Sequence, residues 1–262
     1  MFKKNKNNGK IKLIQNKKRK RGSMNTVKID KYFRGMIAHR GLSGIETENT
    51  INAFVAAANR SYYGIECDVH ASKDGKLIVT HDDTLLRLGM LNLYIPSFKY
   101  EEIRKFTLVD RKTGNLSESI SIPRLSEYLT ICKTYQKHAL IELKENLSYE
   151  NIDKIIEEIE LFYDITQISI ISFYEKFLLY IKKKFPDVHL FYLTNRMSEK
   201  TFDFCEKNQL NIDIEHKAID EATIKRFHLI GLKVCVFTVD DKEIAEKLIK
   251  MGVDYITSNI LE

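Results

Sequence analysis

From about residue 35 onward, short runs of apolar and β-branched residues alternate with longer segments whose apolar residues recur at helical spacing. Such an alternation is typical of βα units that build a parallel sheet. Nine runs are candidate strands: 36–40, 64–70, 77–81, 139–144, 168–173, 189–193, 211–214, 233–239 and 254–257. The pattern therefore predicts an α/β fold in which strands and helices alternate.

A closed (β/α)8 barrel requires eight strands, one fewer than the candidates. The run 211–214 is the weakest of them, and we expect it to be a short element outside the barrel. The alternative architecture is a doubly wound open sheet, but the chain contains neither a GxGxxG nor a GxxxxGK(S/T) loop to support it. We therefore predict a single-domain (β/α)8 TIM barrel over residues 35–262.

Local signals also predict a helix and a long insertion. Asn49 or Thr50 can cap a helix over residues 51–58, where apolar side chains lie on one face. The segment 82–123 is too long for a simple βα connection and contains one helix-like stretch, 100–106. Because long loops usually serve as lids or binding loops, we predict an elaborated loop over the barrel mouth.

Composition fits one globular domain and places the excess positive charge in a tail. The chain has 262 residues, 44% of them hydrophobic, and 42 Lys and Arg against 36 Asp and Glu. Ten of the basic residues and no acid lie in residues 1–24, so the rest of the chain has a net charge of −4. We predict a basic, disordered extension over residues 1–34 and no nucleic-acid binding by the folded domain.

Compartment signals are few. No apolar run reaches the roughly 18 residues of a membrane span, and no apolar stretch of the signal-peptide kind follows the basic start. The four cysteines contain no CxxC pair, so we exclude a zinc finger and expect buried free thiols at Cys67 and Cys235. We predict a cytoplasmic protein and leave open a weak contact of the tail with anionic membrane.

Charged residues interrupt four apolar runs near their carboxyl ends. They are His39 and Arg40, Glu66 and Asp68, His81 and Asp82, and Glu142 and Lys144. The carboxyl ends of barrel strands form the active-site face, so we expect these side chains to converge on one mouth. Because side chains alternate along a strand, Glu66 and Asp68 point to the same side.

Three carboxylates in a confined mouth repel one another. A hard divalent cation, Mg²⁺ or Ca²⁺, bound by Glu66, Asp68 and Glu142 would relieve that repulsion. The alternative is that the acids form buried salt bridges with Arg40 and Lys144.

Two histidines at the ends of candidate strands lie beside the acids. A single histidine in such a place is more often structural, but the pair His39 and His81 is a candidate for acid–base catalysis. His70 shares the face of the acids, and we expect it to be a neighbour of the site rather than a catalyst.

The order and spacing of these residues resemble the signature of the glycerophosphodiester phosphodiesterase family. The similar positions are His39-Arg40-Gly41, Glu48-Asn49-Thr50, Gly64, Glu66, Asp68, Asp74-Gly75, His81-Asp82, Glu142, Lys144, Ser172-Phe173 and Gly252-Val253-Asp254. The resemblance extends over residues 36–259, nearly the whole globular part.

The resemblance implies a barrel similar to that of phosphatidylinositol-specific phospholipases C. It implies hydrolysis of a small-molecule glycerophosphodiester to glycerol 3-phosphate and an alcohol. It further implies that His39 and His81 act as general acid and base. The residues Glu66, Asp68 and Glu142 would bind one divalent cation, and Arg40 and Lys144 would contact the phosphate. The alternative activity is that of a lysophospholipase D acting on lysophospholipids at a membrane surface.

The chain departs from the family pattern at four places. Thr47 replaces a proline, no threonine follows Arg87, Phe237-Thr238-Val239-Asp240 replaces WTVN, and Ser258-Asn259 replaces an aspartate after threonine. None of these changes removes a catalytic or metal position. The change at Phe237 alters a wall of the pocket and leaves the choice of alcohol open.

Overall fold

A computed structural model describes residues 25–262 of the chain. The strands of this part are β1 (Met36–Ala38), β2 (Gly64–Ala71), β3 (Leu77–Val79), β4 (Leu108–Val109), β5 (Leu116–Ser117), β6 (His138–Leu143), β7 (Ile168–Ser172), β8 (His189–Thr194), β9 (Asn211–Glu215), β10 (Val234–Phe237) and β11 (Tyr255–Ser258). Its α-helices are α1 (Ile51–Ala58), α2 (Leu86–Gly89), α3 (Tyr100–Ile103), α4 (Leu125–Tyr135), α5 (Tyr149–Phe162), α6 (Glu175–Lys184), α7 (Glu199–Asn208), α8 (Glu221–Leu229) and α9 (Lys242–Met251).

Eight parallel strands form a closed barrel. Around the ring they follow the order β1, β2, β6, β7, β8, β9, β10 and β11. The first strand, β1, pairs with both β2 and β11, which closes the ring. The predicted (β/α)8 barrel is confirmed.

The strand outside the ring is not the one that the sequence pattern indicates. The expectation that 211–214 lies outside the barrel is wrong, because β9 pairs in parallel with both β8 and β10. The additional strand of this sheet is β3, which pairs antiparallel with the carboxyl-terminal end of β2. The pattern of β9 is weak because an acid, Asp213, interrupts its apolar run inside the barrel.

Alternation along the strands divides the core into two layers. Inward-facing side chains fill the barrel with a small cluster that includes Ile37, Leu140, Ile171, Phe191 and Leu193. Outward-facing side chains pack against the helices in a larger cluster. This division leaves only a few inward positions at the top of the barrel for polar groups.

The predicted helix over residues 51–58 is confirmed as α1, and its cap is Thr50, whose side chain accepts a hydrogen bond from the Ala53 amide. The other candidate, Asn49, has a positive φ of 53° and does not cap the helix. Its side-chain Nδ2 donates a hydrogen bond to Asp68 Oδ2 at 2.6 Å. The loop before α1 therefore supports the acidic residues.

The segment 82–123 folds as an insertion with its own small core. It contains α2, α3, β4 and β5, and its buried apolar residues pack with Ile78 in a cluster separate from the barrel core. Thr47 Oγ1 donates to the Val109 carbonyl at 2.7 Å, and Arg111 Nε donates to the Gly44 carbonyl at 3.1 Å. The insertion thus lies against the loop that follows β1, at the mouth of the barrel.

The segment that precedes β1 forms backbone hydrogen bonds with residues 260–262. The Val27 amide donates to the Ile260 carbonyl and the Ile29 amide to the Glu262 carbonyl, both at 3.0 Å. The remainder of the predicted extension, residues 1–24, lies outside the described residues. The expected burial of free thiols at Cys67 and Cys235 is confirmed. Between residues 25 and 262, every helix is too short or too polar to cross a membrane.

Candidate active site

Three carboxylates lie together at the mouth of the barrel. Glu66 and Asp68 extend from β2 and Glu142 from β6, and Asp68 is the register partner of Glu142. Oxygen atoms of the three lie within 4.8 Å of one another. The residues are 2%, 0% and 9% exposed. The strand alternation read from the sequence therefore brings these acids to one point.

Burial and mutual repulsion shift the pKa values of these acids. Burial, followed by the Asp68 charge, raises the pKa of Glu66 well above its usual value and that of Glu142 to about 7. Burial acts in the same sense on Asp68, but Lys144 and Arg40 outweigh it and lower the pKa of that acid. The cluster thus favours additional positive charge, as protons or as a cation.

Arg40 and Lys144 are the cations beside the cluster. Lys144 Nζ lies 2.7 Å from Asp68 Oδ1 and 2.5 Å from Glu142 Oε1. Arg40 Nε lies 3.2 Å from Asp68 Oδ2. The buried salt bridges that the sequence left as the alternative to a metal are therefore present.

The oxygen atoms of the cluster also fit a hard divalent cation. They are all carboxylate oxygens, which Mg²⁺ and Ca²⁺ prefer. Glu66 Oε2 accepts a hydrogen bond from the Arg40 amide at 2.7 Å, whereas the buried Glu66 Oε1 has no hydrogen-bond partner in the described part of the chain. Because an unpartnered buried carboxylate oxygen destabilises a protein, this atom is a ready ligand for a cation.

His39 follows β1 and is held by an amide. Its Nδ1 lies 2.8 Å from Asn259 Oδ1, and Asn259 Nδ2 donates to Asp240 Oδ2 at 2.7 Å. The second bond turns the Asn259 oxygen toward the imidazole, so Nδ1 carries the proton and Nε2 is free to accept one. Burial and the Arg40 charge lower the pKa of His39 to about 4.

His81 reaches the same mouth by a different route. The sequence pattern places it at the end of a barrel strand, and this is wrong, because it follows β3, which lies outside the ring. Its Nδ1 lies 2.7 Å from Asp82 Oδ1, and Asp82 Oδ2 accepts a hydrogen bond from Arg87 Nε at 2.7 Å. Burial lowers the pKa of His81, while the Asp68 charge and the Asp82 carboxylate oppose that shift.

His70 contacts the backbone at His81. One ring nitrogen, Nε2, lies 3.1 Å from the His81 carbonyl oxygen, and the other lies 2.9 Å from Asn146 Oδ1. Both nitrogens of the ring are therefore engaged.

Among the residues that contact or line the site without having been assigned a role from the sequence are three charged side chains and one amide: Glu48, Arg87, Asp213 and Asn259. A signal for Asp213 is present in the alternation of β9, where it is the acid between two buried isoleucines. No local pattern indicates Asn259 as the partner of His39, because the two are 220 residues apart.

Two cavities meet at His81 and Lys144, which line both. The inner cavity, of about 220 Å³, lies over the acidic cluster and continues across the barrel between Ile171, Phe173, Leu193, Asp213, Phe237 and Thr257. The outer cavity, of about 540 Å³, is more open to solvent and is lined by His70, Asp82, Asp83, Glu145 and Tyr174 among others. A molecule with a central anion thus has space on each side of it.

The sequence matches one family model, described as the glycerophosphoryl diester phosphodiesterase family, over residues 39–261. A glycerophosphodiester phosphodiesterase of Caldanaerobacter subterraneus subsp. tengcongensis is 31% identical over 227 residues, which cover 86% of this chain and 93% of the relative. One of Bacillus altitudinis is 27% identical over 234 residues, covering 84% and 92%.

Solved structures share the fold. A phosphodiesterase of Oleispira antarctica, in complex with the product sn-glycerol-3-phosphate, has a TM-score of 0.80 at 25% identity, covering 89% of this chain and 96% of that one. A glycerophosphodiester phosphodiesterase of Thermotoga maritima has a TM-score of 0.70 at 26% identity, covering 86% and 93%.

Proposed function

Because the chain belongs to the glycerophosphoryl diester phosphodiesterase family, we propose that this phosphoric diester hydrolase cleaves glycerophosphodiesters at the barrel mouth. The products are glycerol 3-phosphate and an alcohol, and the reaction uses His39 and His81 beside one divalent cation. One observation carries the proposal: Glu66, Glu142 and both histidines line the same inner cavity, with Asp68 buried against the two acids.

The charges of the site match a phosphodiester. The substrate anion repels a nucleophile, and further negative charge develops on the phosphoryl oxygens as the reaction proceeds. Arg40 and Lys144 line the inner cavity and neutralise that charge. A divalent cation, Mg²⁺ or Ca²⁺, held by Glu66, Asp68 and Glu142, supplies Lewis-acid stabilisation when bound.

The two histidines divide the proton transfers because their partners differ. His39 has an amide partner and a pKa lowered to about 4, so it is neutral and its Nε2 accepts the proton of the attacking hydroxyl. That hydroxyl belongs to water or to the substrate's own 2-hydroxyl. His81 has a carboxylate partner that stabilises its protonated form, so it donates a proton to the leaving alkoxide.

The two cavities accommodate the two halves of the substrate. His81 lines both cavities, so the leaving alcohol that it protonates lies in the outer cavity, which opens to solvent and admits different head groups. The glycerol half lies in the inner cavity. At about 220 Å³ that cavity is smaller than the pockets that enclose drug-sized ligands, so it suits glycerol better than an acylated glycerol.

A substrate panel tests the proposal directly. The purified full chain is incubated with glycerophosphocholine, glycerophosphoethanolamine and glycerophosphoglycerol in the presence of Mg²⁺, Ca²⁺ or Mn²⁺, and release of glycerol 3-phosphate is measured. We expect turnover of at least one of these diesters. Faster turnover of lysophosphatidylcholine than of glycerophosphocholine would assign the lysophospholipase D activity instead, and no turnover with any metal would refute both.

A further inference from the structure

The inner cavity contains a buried acid that the proposed chemistry does not use. Asp213 lies in the middle of β9 and is 1% exposed. Its neighbours Ile212 and Ile214 face outward into the core beneath the helices, whereas Asp213 faces into the barrel and lines the cavity. Its register partners on the adjacent strands are Leu193 and Cys235.

Within residues 25–262, Asp213 has no ion-pair partner and an incomplete set of hydrogen bonds. Its Oδ1 atom is buried and has no hydrogen-bond partner among the described residues. Burial raises its pKa to about 7, and a hydrogen bond with the thiol of Cys235 opposes this shift. A buried carboxyl group of this kind destabilises the fold, so its presence in a substrate cavity calls for a partner from the ligand.

The position of Asp213 in the ring defines where that partner lies. Two of the acids in the cluster extend from β2, the second strand around the ring, and Asp213 extends from β9, the sixth of eight. These two strands are on opposite sides of the barrel. The apolar side chains of Ile171 and Leu193 line the cavity between them. A substrate whose phosphate lies at the acidic cluster therefore extends its far end across the cavity toward Asp213.

We propose that Asp213 determines substrate specificity by forming a hydrogen bond with the terminal hydroxyl of the glycerol half. This inference rests on the proposed function and names the substrate group that the inner cavity recognises. The terminal hydroxyl is the glycerol group farthest from phosphorus, and it can give the unpartnered carboxyl oxygen the donor that it lacks. The Thr257 side chain lines the same part of the cavity and is a second polar neighbour for a hydroxyl.

The inference predicts discrimination against a substrate without that hydroxyl. A site that hydrogen-bonds a substrate hydroxyl rejects the analogue lacking it, because the buried group of the protein is then left unpaired. Glycerophosphocholine is compared with 2-hydroxypropyl phosphocholine, which keeps the hydroxyl nearer to phosphorus and lacks only the terminal one. For the unaltered protein we expect kcat/KM to favour glycerophosphocholine by about 100-fold.

Substitution of Asp213 should remove this discrimination. In Asp213→Val we expect kcat/KM for glycerophosphocholine to fall and that for the analogue to change little, so that their ratio drops to within about threefold. Asp213→Asn keeps the size of the side chain and an oxygen acceptor, so it should restore part of the ratio. Asp187→Val is the control, because it removes an exposed carboxyl at the opposite end of the barrel, before β8.

The two proposals fail in different ways. If the unaltered protein cleaves no diester, the proposed function itself is wrong. If it cleaves both compounds equally well, or if both Asp213 variants lower the two rates in parallel with an unchanged ratio, Asp213 does not recognise the hydroxyl. The comparison of the two compounds uses the unaltered protein. It therefore tests the inference even if an Asp213 variant does not fold.

Discussion

Arg87 donates two hydrogen bonds to the carboxylate of Glu48, from Nη1 at 2.6 Å and from Nη2 at 2.9 Å. The same guanidinium group donates from Nε to Asp82, which holds His81. Glu48 in turn accepts a hydrogen bond from Arg40 Nη1 at 2.8 Å. Arg87, from the insertion, therefore contacts both Asp82, which holds the proposed proton donor His81, and Glu48, which holds the proposed phosphate ligand Arg40.

Arg87→Ala should reduce catalysis more than stability. Without the guanidinium group, Asp82 and Glu48 lose their common partner, and the orientations of His81 and Arg40 become less restricted. We expect kcat/KM to fall by about 10-fold or more, whereas the free energy of unfolding should change by less than about 1 kcal/mol because the pair is partly exposed. Steady-state kinetics and urea unfolding measure the two quantities.

The matched control is Arg226→Ala. Arg226 also forms two hydrogen bonds with a carboxylate, that of Glu199, and its side chain is 44% exposed, as is that of Arg87. The Arg226 pair lies on α7 and α8, away from the cavities. Equal losses of activity in the two variants would refute a positioning role for Arg87.

Metal binding should stabilise the fold through the acidic cluster. At a concentration about 100 times the dissociation constant, Mg²⁺ or Ca²⁺ should raise the free energy of unfolding by about 2.7 kcal/mol, and EDTA should abolish turnover until the metal is restored. Glu66→Gln should remove this response. It should also raise the stability of the metal-free protein, because it relieves repulsion from the other two acids.

Thermal unfolding with and without metal measures this response. Glu118→Gln, which neutralises an exposed acid in the insertion, is the control and should keep the full response. Undiminished turnover in excess EDTA would exclude the cation from the reaction.

The assignment of the two histidines predicts different dependence on the leaving group. His39→Ala and His81→Ala should each lower kcat for glycerophosphocholine by about 100-fold or more. With a 4-nitrophenyl diester, whose leaving group needs no proton, His81→Ala should regain most of its rate and His39→Ala should not. His228→Ala, which removes a histidine paired with Asp254, is the control. The opposite pattern would exchange the two roles.

Asp213 should make the protein less stable as the pH rises. Its pKa is raised from 3.8 to about 7 in the folded state, so between these values the folded protein binds more protons than the unfolded chain. The contribution of Asp213 to stability is therefore full below pH 4 and is lost as the pH increases through 7. Asp213→Asn should be more stable than the unaltered protein by roughly 2–4 kcal/mol at pH 8, with a smaller difference at pH 5. Chemical unfolding at the two pH values measures this, and a difference independent of pH would contradict it.

Truncation separates the basic extension from the folded domain. Removal of residues 1–24 should leave turnover of soluble glycerophosphodiesters unchanged, and binding to anionic vesicles, if the tail provides it, should disappear. Removal of residues 1–34 also deletes the hydrogen bonds of Val27 and Ile29 to the end of the chain and the ion pair between Lys28 and Glu262. We expect that longer truncation to lower the free energy of unfolding by about 2 kcal/mol. Loss of activity in the shorter truncation would mean that the tail belongs to the catalytic unit.

Two departures from the family pattern are in direct contact. Asp240, which stands where the family has asparagine, accepts hydrogen bonds from the Ser258 hydroxyl at 3.0 Å and from Asn259 Nδ2 at 2.7 Å. Ser258 and Asn259 stand where the family's aspartate is missing. The hydrogen bond from Asn259 to Asp240 orients the amide that holds His39.

The sequence by itself determined what depends on local periodicity. Alternation along β2 and β6 puts Glu66, Asp68 and Glu142 on the same side of the sheet, and the regular succession of strands and helices indicates a parallel sheet. Only the tertiary structure decided which strands form the ring, because the residues of β3 and β9 do not indicate that β3 pairs antiparallel with β2 or that β9 pairs in parallel with β8 and β10. The tertiary structure also decided which side chains hold each histidine and on which side of the inner cavity Asp213 lies. His39 and its partner Asn259 are 220 residues apart, and the position of Asp213 opposite the acidic cluster depends on closure of the ring, so no local pattern encodes either relation.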